Sequence, residues 1–221
     1  MRVVTIDGPA GAGKSTVARR LAERLGWRLL DTGAMYRAVT LAALRHGIDL
    51  ESDADLAALA HRLVVQIDPP HVWMNGEDIT GEIRSIEVTR ASSAIADKPS
   101  VRATLVAWQR AFASVHDTIT EGRDQGTIVF PDAPCKFYLT ASPEERARRR
   151  HAEYIAQGQQ VTLESVLADI NARDARDRDR AIAPMKPAED ARQFDSTGMA
   201  FDEVIERLET AIRATYRGLL S

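Results

Sequence analysis

Chemistry in this chain starts at Gly8-Pro9-Ala10-Gly11-Ala12-Gly13-Lys14-Ser15, which has the G-x-x-x-x-G-K-S spacing of a phosphate-binding loop. Glycines at those positions let successive backbone N–H groups turn inward around a polyphosphate. A helix that starts at the end of the run adds positive potential. Lys14 reaches the outer phosphates, and the Ser15 hydroxyl is a ligand for Mg²⁺. Residues Gly8 to Thr16 are therefore the expected nucleotide-contact set. An ordinary Gly-rich turn between strand and helix would share these flanks, and the Lys-Ser pair is what favours phosphate.

A second cluster, Glu121-Gly122-Arg123-Asp124-Gln125-Gly126, follows the β-branched run Thr118-Ile119-Thr120. Open α/β sheets place ligand contacts just past the carboxyl ends of their strands, and this cluster falls there. Arg123 offers a planar fork for phosphate, and Asp124 an acceptor for a polar base or sugar group. The plainer alternative is an Arg–Asp pair satisfied within the fold.

A third region runs from Ser142 to Arg180. Residues 143–180 hold eight Arg and eight Asp or Glu, so the segment is neutral and does not read as a nucleic-acid arm. Asp169–Arg173, Arg173–Asp177 and Asp174–Arg178 are each four apart, as in a solvated helix laced with weak ion pairs. That explains many of these arginines. A lid closing over transferring phosphates explains why so many guanidinium groups share one excursion interrupted by Gly158.

The elements that must position these groups alternate strand and helix. Arg2 to Asp7 is a β-branched strand, and Val17, Ala18, Leu21, Ala22 and Leu25 stripe the helix after the loop. Arg28-Leu29-Leu30, Thr118 to Glu121, Cys135 to Leu139 and Phe194 to Ser196 are further strands. Ser52 and Asp55 open a short helix, and Ser142-Pro143-Glu144-Glu145 opens another. From Val64 to about Thr80 the period changes to short antiparallel strands with Asn75-Gly76 as a tight turn, which predicts an inserted β subdomain. Val101, Leu105, Trp108, Phe112 and Val115 stripe one amphipathic helix. Phe201, Val204, Ile205, Leu208 and Ile212 stripe the closing one. Repeated β-α order predicts a parallel sheet covered on both faces.

Composition narrows the function classes. A chain of 221 residues suits one sizeable core with small inserts. A net charge of −3 gives no global attraction to nucleic acid or an anionic membrane. No apolar run approaches the ~20 residues of a membrane span, and the N-terminus leaves no room for a signal peptide. Cys135 is the single cysteine, which excludes an intrachain disulfide and suits a buried core thiol. A cytoplasmic location is expected.

Asp31-Thr32-Gly33-Ala34-Met35-Tyr36-Arg37, the block Gly122 to Thr127 with Phe130-Pro131-Asp132-Ala133, and Arg173 to Pro184 resemble the bacterial cytidylate kinases. With the phosphate loop, the resemblance runs from Val3 to the final helix. It implies an α/β, three-layer P-loop fold with a five-stranded parallel sheet. The core would occupy about residues 1–32, 99–141 and 181–221. A nucleoside-monophosphate-binding insert with a small antiparallel sheet would occupy about 33–98, and a short helical lid about 142–180.

The resemblance also implies γ-phosphoryl transfer from ATP, with Mg²⁺, to CMP or dCMP. The enzyme would be a monomer with small-molecule substrates and no nucleic-acid or membrane partner. Residues that bind the acceptor in the family match Thr32, Tyr36, Arg37, Ser93, Arg102, Arg123, Asp124, Arg173, Asp177 and Arg180. Lys14, Arg123, Arg180 and Arg149 form the implied catalytic group, Arg146 an ATP contact and Ser15 the metal ligand. Two departures stand out: Gln125 replaces a more usual apolar residue, and the insert's hairpin region is compact.

Two other functions fit parts of the pattern. A P-loop kinase for a small metabolite such as shikimate would not need Ser93, Arg102 and Asp124. A guanine-nucleotide switch would carry Asn-Lys-x-Asp, yet Asn75 and Asn171 are the only asparagines and neither precedes Lys.

Overall fold

The computed structural model describes residues 1–68, 70–156 and 158–218. Its sheet is built outward from β1 (Val3–Asp7), where Val4, Thr5 and Ile6 are fully buried, as befits a strand covered on both faces. β1 pairs in parallel with β6 (Thr118–Gly122) and with β7 (Cys135–Thr140). β8 (Arg192–Asp195) extends the β7 side, and β2 (Arg28–Asp31) joins β6. The order of this five-stranded sheet is β2-β6-β1-β7-β8. In this register Asp7 stands opposite Gly122, so the phosphate loop and the Arg123-Asp124 cluster leave adjacent strand ends.

Contacts divide the chain into two compact units, one holding Met1 and Leu29–His116, the other Arg2–Arg28 and Asp117–Ser221. In the second unit, α1 (Lys14–Leu25) buries Val17, Ala18, Leu21 and Ala22, as its stripe predicts. It stops at Gly26, which takes the left-handed conformation while Trp27 N–H donates to Ala22 O at 2.9 Å. Helices α6 (Pro143–Ala156) and α7 (Leu163–Asp179) pack through Ala147, Val166 and Ile170. The closing helix α8 (Phe201–Gly218) buries Val204, Ile205, Leu208 and Ile212. Phe201, the first residue of α8, is 42% exposed, because the buried stripe begins a turn later.

The first unit carries α2 (Thr32–Arg45), α3 (Asp53–Arg62), α4 (Ile86–Ile95) and α5 (Pro99–Val115). It also holds a small antiparallel sheet of β3 (Val65–Asp68), β4 (His71–Met74) and β5 (Glu77–Asp78). Asn75 and Gly76 both have positive φ, 52° and 87°, and close the β4–β5 hairpin with Met74 opposite Glu77. That is the inserted β subdomain expected from the change of period. Helix α5 departs from its predicted stripe. Its buried line runs Val101, Leu105, Gln109, Ala113 at a steady spacing of four, leaving Val115 61% exposed.

Candidate active site

The loop after β1 has the backbone a phosphate cradle needs. Gly8 stands at φ +147°, and a Cβ there would lie 2.0 Å from Leu139 O of β7. Gly11 and Gly13 also have positive φ, 75° and 85°. Gly13 leads into α1 without a side-chain cap, so the first-turn N–H groups face the loop for an anion.

Lys14 is buried, and its ammonium donates to Pro9 O at 2.8 Å. Burial, reinforced by the Arg123 charge, pulls its pKa down to about 7. A bound phosphate would supply the anion that keeps this amine protonated. Ser15 Oγ donates to Glu121 Oε1 at 3.0 Å, which pairs a hydroxyl at the helix start with a buried carboxylate at the end of β6. Thr16 is exposed on the first turn of α1.

The Arg123-Asp124 segment is anchored from β1. Asp7 Oδ1 and Oδ2 accept from Gln125 N at 2.9 Å and Gly126 N at 2.7 Å, tethering a π-helical turn over Gln125–Val129. Burial raises the Asp7 carboxyl to about 7 against those two bonds. Gln125 is buried and accepts from Thr120 Oγ1 at 2.8 Å, which satisfies its side-chain carbonyl inside the fold. Asp124 is buried at the start of the same turn.

Arg123 Nε donates to Asp177 Oδ2 at 2.8 Å, and Arg180 Nη2 donates to Asp177 Oδ1. Burial pulls Asp177 upward, yet Arg123, Arg180 and Arg173 outweigh it and hold the carboxyl below its ordinary value. Asp174 is likewise buried and paired with Arg146. The solvated-helix expectation for α7 is thus corrected at these two positions. Both carboxylates turn inward and meet arginines from other elements and from the end of α7. Exposed pairs of the expected weak kind do occur on α6, at Arg148–Glu145 and Arg150–Glu153.

The two arginines of α6 singled out in the sequence differ. Arg149 Nη1 and Nη2 donate to Ser196 Oγ at 3.0 Å and Ser196 O at 2.9 Å, and a Cβ on Gly13 would lie 3.9 Å from Arg149 Nη1. Arg149 is therefore fixed beside the loop. Arg146 is buried, and it donates to Ala141 O at 3.0 Å, to Ala10 O at 2.8 Å and to Asp174. Its guanidinium is committed to protein groups.

In the first unit, the Asp31 side chain caps α2 by accepting from Ala34 N at 2.8 Å, and Arg37 Nη2 lies 3.6 Å from Asp31 Oδ1. Thr32 is buried in the first turn of α2. Arg102 of α5 is 5% exposed and donates to Tyr36 Oη at 3.2 Å, joining two of the expected acceptor residues. Ser93 is buried on α4, with Oγ donating to Arg90 O at 2.7 Å.

Sequence reasoning missed Glu121, Asp7 and Asp174 as site residues. A signal for Glu121 existed: an acid ending a core strand next to the loop strand is where P-loop enzymes keep a metal-directed carboxylate. The inward turn of Asp174 had no signal in spacing alone.

A Gly-rich loop bedded on a parallel sheet, a buried lysine, a Ser–Glu pair and arginines gathered on the buried carboxylates Asp174 and Asp177 define a P-loop kinase fold. Consistent with that, a gluconokinase from Sinorhizobium meliloti 1021 superposes with a TM-score of 0.51 at 13% identity, over 99% of this chain and 96% of that one. The likeness is one of fold. The chain belongs to the cytidylate kinase family, whose sequence profile matches residues 4–214. A cytidylate kinase from Pseudomonas savastanoi pv. phaseolicola (strain 1448A / Race 6) is 49% identical over 219 residues, 96% of each chain. One from Shewanella loihica (strain ATCC BAA-1088 / PV-4) is 49% identical over 209 residues, 92% of this chain and 91% of that one.

Proposed function

We infer that this chain transfers the γ-phosphoryl group of ATP to CMP or dCMP, giving ADP and CDP or dCDP. The observation that carries this reading is the Arg123–Asp177–Arg180 cluster beside Asp124, in the unit that holds the phosphate loop. Anion-binding arginines held in fixed orientation, next to a base-reading carboxylate, suit an acceptor that is itself a nucleotide.

Lys14 and the loop N–H groups from Gly11 to Thr16 hold the β- and γ-phosphates of ATP. Ser15 Oγ and the Glu121 carboxylate fit Mg²⁺, which takes one or two protein oxygens and leaves its other positions to water and phosphates. Held there, the ion would supply positive charge to offset that of the polyphosphate. Arg37, Arg123 and Arg180 grip the acceptor phosphate, and Arg173 and Asp177 support that grip. Arg149 stabilises charge on the moving group. The attacking oxygen belongs to a phosphate that is already anionic, so the site needs positioning and neutralisation more than a strong base.

Thr32, Tyr36, Ser93 and Arg102 complete the acceptor set with Asp124. An ionised Asp accepts only, which rewards cytosine's amino group and repels the carbonyl of uracil.

The test is product analysis. ATP and CMP incubated with the protein and Mg²⁺ yield equal amounts of ADP and CDP on anion-exchange chromatography. ADP without CDP contradicts the reading.

A further inference from the structure

Ala10 has both of its backbone polar groups occupied by one buried ion pair. Its N–H donates to Asp174 Oδ1 at 2.9 Å, and its C=O accepts from Arg146 Nη1 at 2.8 Å. The same Arg146 nitrogen donates to Asp174 Oδ2, and Arg146 Nε is held by Ala141 O at 3.0 Å. Asp174 and Arg146 are 4% and 5% exposed, so neither is free to trade these bonds for water.

Packing reinforces the grip. A Cβ on Gly11 would stand 3.0 Å from Arg146 O and 3.3 Å from Ile170 Cδ1. Ile170 and Asp174 are four apart on α7 and share a face, so α7 bears on the loop with an apolar contact and a carboxylate together. An ion pair that only joined α6 to α7 would have no need of the loop backbone.

We propose that Asp174 is a positioning residue for the phosphoryl donor: with Arg146 it fixes the first half of the phosphate loop at Ala10, so that the following N–H groups converge on ATP. Asp174 itself does not touch the nucleotide. This rests on the assignment of the loop as the ATP site. Lys14, on Pro9 O at 2.8 Å, braces the neighbouring residue of the same half-loop. The loop is thereby set from the α1 side by Lys14 and from the α7 side by Asp174.

The experiment compares wild type, Asp174→Asn and the double variant Arg146→Met/Asp174→Leu. It measures KM for ATP, KM for CMP and the equilibrium Kd of ADP. Asp174→Asn loses the charge-assisted bond, and a tenfold rise in ADP Kd and ATP KM is expected, roughly the worth of one such bond, with CMP KM within about twofold. The double variant removes both buried charges and therefore folds without an unpaired ion, yet Ala10 still lacks its partners and ADP Kd still rises. A purely structural ion pair would lower the thermal midpoint and the active fraction while leaving both constants unchanged. ADP Kd and ATP KM within about twofold of wild type in both variants overturn the proposal. Failure of the wild type to bind ADP at all would instead overturn the loop assignment.

Discussion

Asp177 and Arg123 meet through a 2.8 Å hydrogen bond although 54 residues separate them in sequence. With Asp177 buried and held below its ordinary pKa, it stays a carboxylate at any working pH and orients Arg123 and Arg180 together. Replacing Arg180 by Lys keeps the charge and loses the fork. For Arg180→Lys, kcat/KM for CMP should fall by about tenfold or more while KM for ATP holds. Steady-state kinetics with each substrate varied decide the matter, and an unchanged kcat/KM for CMP would make Arg180 purely structural.

Lys14→Ala removes the cation that the proposed mechanism sets nearest the transferring group. The expected loss in kcat is on the order of 10²–10³ or more. Because the amine is buried at a cost in solvation, the thermal midpoint should stay within about 3 °C of wild type. Near-normal turnover would remove the loop from the active site.

Asp7 makes the stability of the protein depend on pH. Its folded pKa is raised from 3.8 to about 7 by burial, so the folded state holds a proton that the unfolded chain has released. The stability it contributes is complete below 3.8 and is lost as pH rises through about 7. Lys14, lowered to about 7, slopes the opposite way, mainly through burial that the variant keeps. The thermal midpoint of Asp7→Asn minus that of wild type should therefore climb by about a few degrees between pH 5 and 8. A difference that stays flat across that range would show that Asp7 does not titrate there.

Much of this was legible in the sequence, for physical reasons. The loop is local: its spacing, its flanking strand and its helix lie within 25 residues, so Gly8 to Ser15 could be read directly. The Asn75-Gly76 hairpin was legible because two adjacent positive-φ positions are a backbone demand that few residues meet. What stayed hidden depends on contacts between distant segments. Asp174 and Asp177 look like members of i,i+4 surface pairs until Arg146 and Arg123 arrive from other elements. Lys14 reads from its motif as a phosphate ligand, and only the packed loop shows that it is buried. Likewise α4 has a Ser85 cap, accepting from Val88 N at 3.3 Å, but no clear stripe to announce it.

The proposed reader of the base is Asp124. Asp124→Ala should lower kcat/KM for CMP by roughly ten- to a hundredfold, the ~1–3 kcal/mol of a good base-edge contact. The ratio of CMP to UMP activity should shrink, with KM for ATP almost unchanged. Paired kinetics with both acceptors at fixed ATP and Mg²⁺ measure it. Equal losses for CMP and UMP would make Asp124 a scaffold for its neighbouring arginines.

The most direct test of the whole account is the rate of ADP formation from ATP and Mg²⁺ across CMP, dCMP, UMP, AMP, GMP and shikimate. The account predicts that CMP and dCMP have the highest kcat/KM, that UMP trails by about tenfold or more, and that AMP, GMP and shikimate stay near the rate without acceptor. A leading rate with shikimate or with a purine nucleotide, or no acceleration by any acceptor, would contradict it.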